Sequence, residues 1–389
     1  MSGSPTPHDP GAPVAPGAPP ELDAPRFGAL DVLRVVATVW IAWRHFLEFA
    51  IRHMIAPEDP LTWLLEHETL THWVFYSGEL TIQIFMMISA FGLTLQALGR
   101  EHLAYGPWLV SRARRIYPAL WVSLALLVLL DLALGWGRPG WPSRALHISW
   151  PSVGWNALGL TGVGWSRPMS GAWWFIGLIL SFYLAFPLFL FFARRGLSVV
   201  LLAASTLIAV ASRELLGPHI AHLFLNVDSD FLGSRCMEFS FGVLLAEQVH
   251  LRRESHPLSG RISWPTTLVL TAFAVFALDA FALQRPLPPL GPVTAFLVFC
   301  ALFAWCQRLP ARAMRACLAL GGPSLTFYLL HQNLLGATMP HLHGADPAWV
   351  LPVFAIFALL LWVVSVALQP AIDRLGRAVF RPHQRRPGP

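Results

Sequence analysis

The 389-residue chain contains no lysine: all 27 of its basic residues are arginine, set against 21 acidic ones. An arginine-only basic set fits a high-GC coding bias and carries no functional demand of its own. Charge of either sign is scarce, at 12% of residues against about 25% in soluble globular domains, while 55% are hydrophobic and mean hydropathy is +0.56. That balance excludes a soluble globular protein and marks an integral membrane protein. Four cysteines, Cys236, Cys300, Cys306 and Cys317, fall in or beside apolar segments with no CxxC pattern, so they read as buried free thiols. No charged start followed by an apolar core opens the chain. Residues 1–26, rich in Pro, Gly and Ala, read as a disordered cytoplasmic tail instead of a cleaved signal peptide. Alternating strands at ten-residue spacing are missing, which argues against a transmembrane barrel. Internal repeats are missing too, which weighs against a transporter built from repeated halves.

What the chain does have is a series of apolar runs. Crossing about 30 Å of hydrocarbon takes about 20 residues, and ten runs qualify. They lie near 28–50, 73–98, 116–136, 172–193, 197–216, 231–250, 265–284, 290–306, 318–339 and 349–371. The expected fold is all-α and polytopic, with about ten transmembrane helices in a domain over 27–372 and a basic tail over 373–389. If the N-terminus is cytoplasmic, most arginines fall on that side, in clusters such as Arg112, Arg114 and Arg115 or Arg381, Arg385 and Arg386. This asymmetry places both termini in the cytoplasm of a multi-pass cell-membrane protein. The net charge of +6 is spread through these short clusters, so it reads as a topology signal and not as a nucleic-acid groove.

Inside the first run stand Arg34 and His45. Eleven residues at about 100° each make three turns plus roughly 20°, so the two side chains share one face, about 16 Å apart along the axis. A cation on a lipid-facing stripe costs about 3 kcal/mol or more, so that face must meet protein or water. His45 can serve as a general base for an incoming hydroxyl or as a helix-packing hydrogen bonder; Glu48, one turn on, can hold the ring in one tautomer. Arg34 and Asp31, at i,i+3, equally make an ion pair. In Ser111–Trp121 (SRARRIYPALW), Arg112, Arg114 and Arg115 can clamp phosphates or simply anchor the span. Glu238 pairs by spacing with Arg235, and His331 serves as a helix contact or a substrate contact. No metal site is expected. His67, Glu68 and His72 read H-E-x-x-x-H, one residue longer than the zincin spacing, and two histidines at i,i+5 diverge by about 140° on a helix.

Taken in order, these segments resemble the acyltransferase type 3 family of integral-membrane O-acyltransferases. LDVLRVVATVWIAWRH (30–45) is similar to the family's opening R-x10-H segment, and RARRIYP (112–118) to its arginine cluster. IQIFMMISAFGL (82–93), WWFIGLILSFYLAFP (173–187), RCMEFSFGVLLAE (235–247) and GGPSLTFYLLHQNLL (321–335) are similar to its later segments. The resemblance covers 27 to about 370. It departs from the family at Ile179, where many members have an acidic residue, at Gln83 in place of Asp, and at Ala90 in place of Gly. It implies transfer of an acyl group, acetyl first, from acyl-CoA to a hydroxyl of a carbohydrate or glycosylated acceptor. The implied roles are His45 as general base supported by Arg34, and Arg112, Arg114 and Arg115 at the acyl donor; Glu48, Glu79 and Glu238 are the candidates for a partner carboxylate. Glu238, His331 and Trp174 are candidate acceptor contacts. No cofactor is permanently bound; acyl-CoA is a co-substrate. The alternative reading is a transporter or glycan export protein with an intramembrane proton relay.

Overall fold

The computed structural model describes residues 24–53, 68–134, 150–161, 169–220, 231–251, 290–342 and 346–380. Among these residues the regular structure is helical and there is no strand. The helices are α1 (Ala24–His53), α2 (Glu68–Leu98), α3 (Tyr105–Leu134), α4 (Trp150–Ala157), α5 (Trp174–Arg194), α6 (Ser198–Ala211), α7 (Leu232–Leu251), α8 (Leu290–Cys306), α9 (Ala311–Gly321), α10 (Ser324–Thr338) and α11 (Val350–Val379).

Five described helical segments are long and apolar enough to cross a membrane, and a sixth span results if α9 and α10 count as one, bent by 62°. The expected ten therefore reduce to five or six among the described residues, for identifiable reasons. Helices α1 and α7 have the length, but α1 carries Asp31, Arg34, Arg44 and Glu48 and α7 carries Arg235, Glu238 and Glu247. Helix α8 is apolar and only 17 residues long. The ninth run is split at Gly321, Gly322 and Pro323, where a helix cannot continue straight. The run at 265–284 lies outside the described residues, as do the tail over 1–23 and the histidine His67.

The third span differs in its start. Helix α3 begins at Tyr105, about three turns before the expected 116, because Pro107 sits in the first turn, where its missing N–H leaves no bond unmade. Arg112, Arg114 and Arg115 therefore lie within a continuous helix.

Helix α2 is the centre of the bundle. Its apolar window is 78% buried, whereas those of α6 and α11 are 22% and 17% buried and leave Val200, Leu207, Leu359 and Val363 on a lipid-facing surface. Helices α1, α7 and α8 pack around α2, and Phe182 of α5 stacks on Phe239 of α7 at 4.5 Å. The segment between α3 and α5 is tied to its neighbours by donors and acceptors that lipid cannot satisfy. Tyr117 donates to the Leu158 carbonyl at 2.9 Å, Trp121 to that of Ala157 at 2.8 Å, and Thr161 to that of Trp173 at 2.5 Å. The buried Trp173 in turn donates its indole N–H to the Leu329 carbonyl at 2.8 Å, and the Tyr328 hydroxyl donates to the Ala172 carbonyl. These two bonds, crossing in opposite directions, lock α10 to the start of α5.

The contact between α2 and α7 is close at Gly242. A methyl group there would lie 2.6 Å from the Met87 carbonyl oxygen and 3.0 Å from the Phe91 nitrogen, both backbone atoms that cannot turn aside. Gly242→Ala should therefore destabilise the bundle by about 1–3 kcal/mol, the usual cost of overpacking. A lowered unfolding temperature in detergent is the expected result; an unchanged one would contradict the close approach.

Candidate functional site

Two polar regions lie inside the bundle, joined by α1 and α10. The first surrounds a cavity of about 300 Å³ between α1, α2, α3, α5 and α10. Its polar lining includes Arg34, Arg112 and Arg115 with Gln96 and Ser324, and its apolar lining includes Phe85, Phe175 and Tyr328. Arg34 forms the short ion pair with Asp31 that the i,i+3 spacing allows. Arg112 lies over the Trp108 ring at 5.8 Å. Ile179 is part of the cavity wall.

The second region is built around His45, which is buried. Its Nδ1 lies 2.8 Å from Arg44 Nη1 and 3.6 Å from Glu48 Oε2, while Arg44 and Glu48 pair at 3.0 Å. Since arginine can only donate, Nδ1 accepts in this arrangement and the neutral ring carries its proton on Nε2. Turning Nδ1–H toward Glu48 would instead free Nε2 as a base. The His331 ring packs against His45 with centroids 5.2 Å apart. Its Nδ1 donates to the Tyr328 carbonyl at 2.6 Å, so the tautomer is fixed and the lone pair sits on Nε2. That nitrogen is fully buried and has no hydrogen-bond partner among the described residues. An acceptor left unmade in a core costs about 1–3 kcal/mol, which a bound hydroxyl would recover.

The two regions connect through single residues. Tyr328 lines the cavity and its ring lies 5.5 Å from that of His331. On α1, Thr38 lines the cavity and His45 follows it by seven residues, about 10 Å along the axis. Arg34 and His45 thus both face the bundle interior, as their shared stripe requires. Arg114 lines a second concavity, between α3, α10 and α11. Trp174 is half-buried against Phe175 at 6.0 Å, and its neighbour Trp173 is the buried one.

Glu238 belongs to a buried ionic network on α2, α7 and the π-helical turn that follows α6. Arg235 reaches Glu79 at 2.7 Å and Glu238 at 3.3 Å, and Arg213 reaches Glu238 at 3.6 Å and the Ser234 carbonyl at 2.8 Å. Arg44 lies against Gly78, beside Glu79. Arg44 was legible as the i,i+4 partner of Glu48. Arg213 had no such signal, because it reaches α7 through a π turn. Among the described residues no cluster of three or more His, Cys, Asp or Glu could hold a metal, and the side chains of Glu68 and His72 are not described.

With this geometry in view, comparison with known proteins gives one match. The family model described as an acyltransferase domain matches residues 27–367. No curated protein and no solved structure matches the chain.

The ionic network makes a prediction about stability. Arg235→Met leaves Glu238 buried without its main counter-charge and should cost about 3–5 kcal/mol, whereas Arg235→Met combined with Glu238→Leu should recover part of the loss. Unfolding of the two variants in detergent checks this; equal loss in both would contradict the coupling.

Proposed function

Because the chain belongs to the acyltransferase type 3 family, we propose that it is an integral-membrane O-acyltransferase using acyl-CoA, acetyl-CoA in the simplest case. The acceptor is a hydroxyl of a carbohydrate or glycosylated small molecule. The observation that carries this reading is a cavity lined by Arg34, Arg112, Arg115 and Tyr328, with the Tyr328 ring 5.5 Å from that of His331 and the His331 ring 5.2 Å from that of His45. An anionic donor suits the arginine end, and a proton acceptor stands at the other.

In the proposed step the donor lies with its phosphates toward the arginines and its thioester carbonyl toward His45. The ring takes up the Nδ1–H tautomer on Glu48, so that Nε2 can accept a proton. The acceptor hydroxyl gives its proton to Nε2 as its oxygen bonds to the acyl carbon. The C–S bond then breaks, and the departing thiolate takes the proton back from the imidazolium, leaving ester and free CoA. His331 Nε2 accepts a hydrogen bond from a second hydroxyl of the acceptor, which favours a polyol. The half-buried Trp174 offers a ring face on which a sugar can stack. Glu238 contributes by holding Arg235 in place. The arginine distribution supports a cytoplasmic origin for the donor and cytoplasmic termini.

Membranes incubated with labelled acetyl-CoA and a panel of lipid-linked and small glycosylated acceptors should yield labelled ester. His45→Ala should lower transfer by about 10²–10⁴-fold, the usual contribution of general-base catalysis, with unchanged protein in the membrane. Full activity in that variant would reject the assignment, and substrate flux without acyl-CoA consumption would favour a transporter.

A further inference from the structure

Two cavities meet at Arg115. Besides the cavity of about 300 Å³, a second of about 340 Å³ lies between α3, the break separating α9 from α10, and α11. Arg114, Arg115 and Arg377 line it, along with Gly322, Gln369 and Asp373. Arg115, Ser324 and Leu325 belong to both walls, so the two spaces adjoin.

The charge around the second cavity is unbalanced. Among the described residues, none of Arg114, Arg115 and Arg377 has a carboxylate within ion-pair distance, and all three are exposed to solvent. The one carboxylate in the wall, Asp373, accepts a hydrogen bond from the Gln369 amide at 2.9 Å and is outnumbered by the three arginines. Guanidinium groups that serve only to anchor a helix at the headgroups can splay apart; gathering three around one concavity works against their repulsion. The convergence is also built in. Gly376 lets α11 approach α3 so closely that a methyl group there would lie 3.3 Å from Pro118 Cγ and 3.7 Å from Arg114 Cγ. Arg377, the next residue, lines the same cavity as Arg114. Planar forks with several free N–H groups suit a ligand with several phosphate oxygens.

We infer that the second cavity receives the phosphorylated nucleotide end of acyl-CoA, with Arg377 as a donor-binding residue, while the thioester arm passes Arg115 into the first cavity. The inference rests on the acyl-CoA reading above and adds a compartment and a residue to it. In the sequence Arg377 was only one of a basic tail.

The test is steady-state kinetics of the full-length protein in lipid nanodiscs, with acetyl-CoA as donor and adenosine 3′,5′-bisphosphate, which carries the nucleotide phosphates without the thioester arm, as inhibitor. The wild type should show competition between the two. Arg377→Gln should raise the KM for acetyl-CoA and the inhibition constant of the bisphosphate by about tenfold each, the loss of one charge-assisted contact, with kcat within about twofold. Arg377→Lys, which keeps the charge, should recover most of the affinity. Absence of competition, or an Arg377→Gln variant indistinguishable from wild type, rejects the inference and leaves the acyltransferase reading intact. A wild type that transfers nothing from acetyl-CoA rejects both.

Discussion

A charge withdrawn from water must find a counter-charge or a ligand, and the interior of this bundle is organised by that constraint. Arg235 meets it twice, through Glu79 and Glu238, and Arg213 adds a further contact to Glu238. Arg44 meets it through Glu48, and Arg34 through Asp31. With those pairs made, α7 and α1 can lie against α2 although neither is apolar enough to rank as a simple span. Several buried polar atoms among the described residues remain without a hydrogen bond, and His331 Nε2 is the one beside His45. Among the described residues, His331 Nε2 has no hydrogen-bond partner, and Arg114, Arg115 and Arg377 have no carboxylate within ion-pair distance.

The arginines border two adjoining cavities, and Tyr328, which lines the first, has its ring 5.5 Å from that of His331. A donor that is polyanionic at one end and carries a thioester at the other matches this polarity. An acceptor rich in hydroxyls matches a buried nitrogen that needs a hydrogen bond. Cross-bracing of α10 through Trp173 and Tyr328 fixes the height of His331 relative to the cavity. The bend before Ser324 sets the direction in which that helix enters the bundle.

Much of this was legible in the residues. The shared face of Arg34 and His45 follows from helical geometry, and both side chains do face the interior. The short arginine cluster lines the two cavities, although the position of the α3 start did not follow from hydropathy: Pro107 sits in the first turn of a helix that opens at Tyr105. Hydropathy also counted α1 and α7 as ordinary spans, since it sums residues without asking whether their charges find partners. Long-range pairs such as Arg235 with Glu79, 156 residues apart, have no local sequence signature. The same holds for Arg377, which shares a cavity wall with Arg114.

The central claim is that one continuous donor path links the arginines to His45. A cryo-electron microscopy structure with a non-transferable acetyl-CoA thioether tests it most directly. The account predicts density with phosphates at Arg114, Arg115 and Arg377 and the acyl end within reach of the His45 ring. Phosphates bound elsewhere, or an acyl end directed away from α1, would contradict it.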